Sequence, residues 1–468
     1  MGKILSAYLT PHPPIIIAQI GQGEEQKAIK TIEGMEEIGR DIAMRKPQTI
    51  LIITPHGPVF SDANAISMEK TLKGDFSSFG HNELSYSYDT DQELTCQIVK
   101  NCLKNNISVA QMTKDMYKRY KLDGKLDHGA LVPLHFVDKY YSDFQIIHIT
   151  YGVLSPKELY LFGRQIEASI LQQKNNVVII ASGDLSHKLK DSGPYSYSPE
   201  GPEFDRLIIE IIEKADIGAI SSFDMELAHK AGECGLRSLM ILAGILSPYE
   251  LDTKVLSYEG PYGVGYGTAK LIPGKRTNRD LMDTIEKSQK TKQTAIRQSE
   301  SPHAALARKS LEHYVLTGEY LEVPEDLPEE LLVAARPVFV SIKKHGSLRG
   351  CIGSTAASRG SLAREIIHYA VEAGTRDPRF SAVTEDELEE LVYSVDVLSP
   401  SEPIHSIAEL DPGIYGVIVE KGYRRGLLLP MIEGVDTPRD QVRIALQKAG
   451  ISEDDDYKME RFRVERYQ

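Results

Sequence analysis

Lys3-Ile4-Leu5-Ser6-Ala7-Tyr8-Leu9-Thr10-Pro11-His12 and Thr49-Ile50-Leu51-Ile52-Ile53-Thr54-Pro55-His56 follow one plan, a short apolar run that ends in Thr-Pro-His. Near-continuous apolar runs of this length belong to strands buried on both faces of a sheet, so Lys3 to Leu9 and Thr49 to Thr54 read as strands. Phe144 to Thr150 and Val177 to Ser182 read the same way, and the second runs on into Ser-Gly-Asp-Leu-Ser-His187. Helical periodicities fill Glu24 to Met44, Gln92 to Leu103 and Pro156 to Leu171, with Glu203 to Lys214 and Glu226 to Leu246 following. Each is long enough to cover a sheet face. The alternation predicts an α/β domain, a central sheet flanked by helices, over residues 1–272.

Working outward, Pro273 to Pro302 breaks the rhythm with Lys, Arg, Thr, Gln and Ser and few large apolar residues, so 273–301 reads as a solvated linker. Lys275, Arg276 and Arg279 cluster there, but no aromatic residue interleaves them as a nucleic-acid patch would require. Past it, Ala307, Leu311, Tyr314 and Val315 form one helical stripe and Leu362, Ile366, Tyr369 and Ala370 a second. Val338 to Lys343, Leu391 to Leu398, Gly416 to Glu420 and Gly426 to Leu429 read as strands. Here the two element types do not alternate regularly, which predicts an α+β domain over 302–468.

Composition bounds the function. The 468 residues are 41% apolar and 26% charged, ordinary for a chain with sizeable cores, and the net charge of −13 repels phosphate backbones and anionic lipid. Neither nucleic acid nor membrane is an expected partner. Four scattered cysteines with no CxxC pair fit a reducing, cytoplasmic setting, and no apolar run approaches the ~20 residues of a membrane span. Met1-Gly2 matches a loose myristoylation pattern, yet the same residues open the first strand, which is the expected reading. A homo-oligomer stays open.

Chemistry in open α/β folds sits at the carboxyl ends of strands. His12, His56 and His187 all follow predicted strands, and His128 stands in Leu-Asp-His-Gly before an apolar stretch. Prolines around His12 and His56 limit the unfolded ensemble and suit residues held ready for a metal. Two imidazoles and one carboxylate form the facial arrangement of non-haem Fe(II) sites. Glu233, in Ala-Gly-Glu-Cys-Gly, is the candidate acid, since a bare carboxylate among small apolar residues needs a cation or a metal. A Glu233–Arg237 ion pair is the competing structural reading, Cys234 is an alternative ligand, and Glu259 is a weaker one.

The set Thr-Pro-His12-Pro, Pro-His56-Gly, Asp-His128-Gly, Asp-Leu-Ser-His187 and Gly-Glu233-Cys resembles the class III extradiol ring-cleavage dioxygenases, the LigB-like family that also contains the Memo proteins. The resemblance implies Fe(II), with Zn or Cu as alternatives, on His12, His56 and Glu233. It implies His187 and His128 as catalytic base and acid, and oxidative cleavage of a catechol-like aromatic diol by O2, a non-haem metal-dependent oxidoreductase. Memo-like members place a cysteine where the carboxylate sits, which keeps Cys234 in view and carries the other reading, a metal-binding accessory protein without ring cleavage.

In the C-terminal half, Ser347-Leu348-Arg349-Gly350-Cys351-Ile352-Gly353 reads as a glycine-flanked cysteine in a turn. Cys351 is a candidate nucleophile whose pKa Arg349 could lower, with His345, Asp377 and His368 as possible partners; a small buried cysteine is the ordinary alternative. Together with Arg376-Asp377-Pro378-Arg379-Phe380 and Gly426 to Pro430, the segment resembles the AMMECR family, which implies an α+β fold. The fusion looks like the AmmeMemoRadiSam system, which implies a radical S-adenosylmethionine protein as partner.

Overall fold

A computed structural model describes every residue except Met1, Glu433 and Asp436. The chain divides into two compact units, Met1–Lys290 and Thr291–Gln468.

In the first unit the described elements run β1 (Lys3–Thr10), α1 (Ile29–Arg45), β2 (Thr49–Thr54), β3 (Asn64–Ser67), β4 (Thr71–Phe76), β5 (His81–Asp89), α2 (Gln92–Lys104), β6 (Val109–Met112) and α3 (His128–Asp138). They continue through β7 (Gln145–Thr150), α4 (Pro156–Gln172), β8 (Asn176–Ser182), α5 (Glu200–Glu213), α6 (Met225–Ala231), α7 (Leu236–Leu246), β9 (Tyr249–Glu259) and β10 (Tyr266–Arg276). The sheet order is β6-β3-β7-β2-β8-β1-β10-β9. Its middle, β7-β2-β8-β1, is parallel, while β3 against β7, β10 against β1 and β9 against β10 are antiparallel. Strands β4 and β5 form a separate hairpin.

The period of two along each central strand divides the core. Ile50, Ile52, Val178 and Ile180 join Met35, Ile38 and Ile42 of α1 and Leu131 and Leu134 of α3 on one face. Leu51, Ile53, Ile147 and Ile179 join Phe162 and Ile166 of α4 and Leu239 and Leu242 of α7 on the other. Each such fully buried side chain contributes about 1.5–3 kcal/mol. Two coverings leave the carboxyl ends of β1, β2 and β8 as neighbouring rims, and these carry the Thr-Pro-His and Ser-Gly-Asp segments.

Two expectations change here. The stretch Glu226 to Leu246 is two helices, α6 and α7, broken by Gly232 at φ 65°. Residues 273–301, expected as a solvated linker, begin inside β10 and hold an eighteen-residue helix, α8 (Met282–Ser299), with Ile285 buried. Its Met, Glu, Gln, Lys and Arg side chains favour a helix even where the segment is too polar to predict packing.

The second unit contains α9 (Pro302–Thr317), β11 (Val338–Lys344), β12 (Ser347–Gly353), α10 (Leu362–Thr375), β13 (Leu391–Leu398), β14 (Glu402–Ile404), β15 (Tyr415–Lys421), β16 (Arg424–Leu428), α11 (Pro438–Ala449) and β17 (Lys458–Tyr467). Its antiparallel sheet, ordered β12-β11-β13-β17-β15-β16, packs α9 and α10 at one end and α11 at the other, an α+β arrangement. Among the described residues no helix is long and apolar enough to cross a membrane.

Candidate metal centre

The rims of β1 and β2 bring His12 and His56 together, with Nε2 atoms 2.9 Å apart. His128, first residue of α3, stacks on His56 at 4.2 Å between ring centroids. One donor atom from each of the three histidines lies within 4.8 Å of the others. Backbone contacts enforce this convergence. A Cβ on Gly57 would lie 2.1 Å from Thr150 Oγ1 and one on Gly129 2.3 Å from Thr54 Oγ1, so both His-Gly pairs pack too closely for any larger residue.

The tautomer of His12 follows from its partners. Ser182 Oγ donates its one proton to Gly129 O at 2.6 Å, so at its 2.9 Å contact with His12 Nδ1 it accepts. His12 therefore carries its proton on Nδ1 and presents the Nε2 lone pair to the cluster, the preorganisation that metal-ligating histidines use. Burial holds His12 well below its usual range and pushes His128 down to about 3, so both rings are neutral at neutral pH. Neutral imidazoles with inward lone pairs fit a divalent metal of the borderline class.

Cys234 lies against one member of this cluster, His12. A Cβ on Gly183 would fall 2.1 Å from Gly235 Cα, so these glycines let the Asp184 loop close on the turn between α6 and α7. The result puts Cys234 Sγ 3.6 Å from His12 Nε2, with the Asp184 backbone N–H donating to the sulfur at 3.2 Å. The Glu233 carboxylate, the expected third ligand, accepts the Leu236 N–H at 2.6 Å, at the start of α7, and is not one of the three grouped donors. The orphan N–H groups of a helix start compete for a carboxylate that sequence alone assigns to a metal. Arg237 lies close enough to oppose the upward effect of burial on Glu233. Glu259 accepts from the Thr31 N–H and hydroxyl at 2.7 and 2.8 Å and takes no part in the cluster.

His187 stands beside the cluster, its ring stacked on Tyr195 at 5.5 Å and its Nε2 buried without a hydrogen-bond partner. Three further groups went unassigned from sequence. Asp184 accepts the His12 backbone N–H at 2.9 Å, and burial raises its carboxyl to about 6. Asp127 caps α3 and accepts from Thr54 Oγ1 at 2.6 Å. It pairs with buried His148 Nε2 at 2.9 Å; burial pulls its pKa up, but these donors outweigh it and hold it below the usual carboxylate range. Both aspartates sit inside the Gly-Asp-Leu-Ser-His and Leu-Asp-His-Gly motifs, so their signal was adjacency to the histidines.

In the second unit the cysteine motif is strand β12, not a turn. His345 and Gly346, at φ 50° and 79°, make the two-residue hairpin turn that joins it to β11. A Cβ on Gly350 would lie 2.1 Å from Ala373 O and one on Gly353 2.2 Å from Val338 O, so these glycines serve protein packing. Arg349 grips Glu387 with two hydrogen bonds of 3.0 and 2.9 Å, so its guanidinium is committed to a carboxylate. Cys351 Sγ instead accepts from Ser341 Oγ at 3.2 Å, and its N–H donates to Asp377 Oδ2 at 2.9 Å. His345 lies 3.5 Å from Glu390, and His368 stacks on Tyr320.

Residues 6–269 match the family model described as the catalytic LigB subunit of aromatic ring-opening dioxygenase, and 304–468 match AMMECR1. A protein of Clostridium acetobutylicum is 42% identical over 461 residues, covering 98% of each chain. One from Thermotoga maritima is 53% identical over 170 residues, 36% of this chain and 98% of its own. A crystal structure of an uncharacterized Pyrococcus horikoshii protein is 33% identical, covers 35% of this chain and 88% of that one, and superposes with a TM-score of 0.33. The chain belongs to the LigB family of aromatic ring-opening dioxygenase catalytic subunits, here fused to an AMMECR1 domain.

Proposed function

We propose that the first unit is a metal-dependent oxidoreductase of the extradiol ring-cleavage type, acting on a catechol-like aromatic diol with O2 in the cytoplasm. The observation that carries this reading is the convergence of His12, His56 and His128 within 4.8 Å, in a family defined by ring-opening catalytic subunits. These histidines, joined by Cys234, would hold the metal, with Fe(II) favoured and Zn or Cu as alternatives. A bound Fe(II) would supply Lewis acidity toward the diol oxygens and electrons for O2.

The chain's own residues then divide the remaining work. Ser182 keeps His12 in the Nδ1–H tautomer. His187 Nε2, buried and unpartnered, is free to accept a diol proton, and Asp184 lies within electrostatic reach to stabilise the imidazolium. Proton transfer by a positioned group of this kind is worth roughly 10²- to 10⁴-fold in rate. His128, edge-on to Phe79 at 5.5 Å, is the candidate acid when it is not itself a ligand.

Cys234 favours a second reading. With a thiol, and not Glu233, nearest the histidines, the unit fits a metal-binding accessory protein that serves a radical S-adenosylmethionine enzyme. Anaerobic Fe(II) reconstitution followed by catechol and O2 separates the two. A yellow ring-opened product supports the oxidoreductase; stoichiometric metal without turnover sinks it in favour of the accessory role.

A further inference from the structure

A continuous file of aromatic rings leaves the histidine cluster. His128 meets Phe79 at 5.5 Å between centroids, Phe79 meets Phe76 at 6.3 Å, and Phe76 meets Tyr86 at 6.2 Å. Tyr86 lies parallel to Tyr88 at 6.4 Å, Tyr88 stacks on Phe144 at 5.7 Å, and Phe144 stacks on Tyr141 at 5.8 Å. Phe79 is 41% exposed beside the cluster, Phe76 is fully buried, Tyr88 is 8% exposed, and Tyr86 and Tyr141 are half-buried, so the file joins two solvent-facing ends through a buried middle.

Two elements build it. Hairpin β4–β5 presents Tyr86 and Tyr88 on one face, two residues apart, and α3 lies against that hairpin with His128, His135 and Asp138 seven and then three residues apart along one side. Each tyrosine consequently has a hydrogen-bond partner on α3. Tyr86 O is 2.6 Å from His135 Nδ1, and the Tyr88 hydroxyl donates to Asp138 Oδ2 at 2.6 Å. Burial keeps His135 neutral, with a pKa near 4, and leaves Asp138 Oδ1 buried without a partner.

We propose that this file is a redox relay that carries an oxidising equivalent out of the pocket when O2 is reduced there with no diol bound. The relay rests on the metal-site reading above. The oxidant, a one-electron oxidant of the reduced-oxygen class, gains one electron from Tyr86. With His135 in its Nε2–H tautomer, the Tyr86 O–H bond breaks, and its proton moves along the 2.6 Å contact to His135 Nδ1, a separation inside the range for direct transfer. Phe79 and Phe76 bridge without being oxidised. Tyr86 is restored by an electron from Tyr88 and its proton back from His135, while the Tyr88 proton passes to Asp138 Oδ2. A soluble thiol or ascorbate finally returns one electron to Tyr88, and Asp138 returns the proton. What the relay protects is Cys234, whose sulfur, 3.6 Å from His12 Nε2, would otherwise climb to the irreversible sulfinic acid.

The test uses the full chain, loaded anaerobically with Fe(II), with its metal content fixed by elemental analysis, then mixed with hydrogen peroxide without diol and freeze-quenched. A tyrosyl radical signal is expected by paramagnetic resonance in the native protein, falling to background in Tyr86→Phe and several-fold in Phe79→Leu. Mass spectrometry of the same samples should show more Cys234 sulfinic acid in both variants. An undiminished radical in Tyr86→Phe, or unchanged Cys234 oxidation, overturns the relay. Absence of bound iron would instead defeat the metal-site reading. The relay is then decided by laser flash oxidation of metal-free protein, with a ruthenium tris-bipyridyl label on Ser78→Cys, beside Phe79, in a Cys96→Ser, Cys351→Ser background: a Tyr86-dependent radical upholds it and a Tyr86-independent one refutes it.

Discussion

Ser182 has one hydroxyl proton and gives it to Gly129 O, and that single donation decides which nitrogen His12 offers to a metal. Ser182→Ala should leave the fold intact and weaken metal binding by about 10- to 100-fold, the usual cost of losing a group that orients a ligand, measured by competition with a chromogenic chelator. The neighbouring acid behaves differently. Glu233→Ala removes a helix-start acceptor and should lower stability by about 1 kcal/mol with metal stoichiometry unchanged, whereas His12→Ala and Cys234→Ala should lose metal. Elemental analysis of the three variants checks this, and loss of metal in Glu233→Ala would return the carboxylate to the ligand set. Sequence showed the residue pair but not its orientation, because the broken helix at Gly232 swings Glu233 onto α7 and Cys234 toward His12. Asp205 tests a titration away from the cluster. Burial raises its carboxyl to about 7, against 3.8 ordinarily, opposed by hydrogen bonds from the Ser186 N–H and Tyr258 hydroxyl. The native state keeps a proton that the unfolded chain releases, so the stability this proton confers is full below pH 4 and is lost as pH rises through 7. Asp205→Asn should match the native protein at low pH and exceed it at pH 8 by up to about 4 kcal/mol, read from urea midpoints at the two pH values.

At the level of elements, what composition reveals is what is buried on both faces. The four strands expected from apolar runs in the first unit are β1, β2, β7 and β8, which form the parallel middle of the sheet. Edge strands β6 and β9 and the hairpin β4–β5 carry mixed or polar sequences such as Tyr249-Glu250-Leu251-Asp252, whose pattern reflects the partner they lie against and cannot be read locally. The same limit hid β12, where the glycines of Arg-Gly-Cys-Ile-Gly suggested a turn. Helix α10 crosses so close above Gly350 that an added methyl would sit 2.1 Å from Ala373 O. Gly350→Ala should therefore destabilise the second unit by about 1–3 kcal/mol through overpacking, seen as a lower midpoint for that unit in calorimetry, while Gly360→Ala, with open space around it but φ 86°, should cost less.

Each unit has a core of its own. Residues of β1 to β10 build the clusters that cover the two faces of one sheet, and residues of α9 to β17 build those on another. A unit with its own core can unfold as its own cooperative transition, and heating should resolve two. The donor cluster lies wholly within the first unit, so a metal that binds the native state there and not the unfolded chain stabilises that unit alone. At a free metal concentration one hundred times its dissociation constant, the shift is about 2.7 kcal/mol. For a unit of this size, that corresponds to an upward move of several degrees in one transition. Scans of the full chain with Fe(II) under anaerobic conditions and with a chelator should therefore move one transition and leave the other fixed, and the moving one should be the transition that Gly350→Ala does not alter. Movement of the Gly350-sensitive transition would place metal in the second unit, against everything the histidine geometry implies.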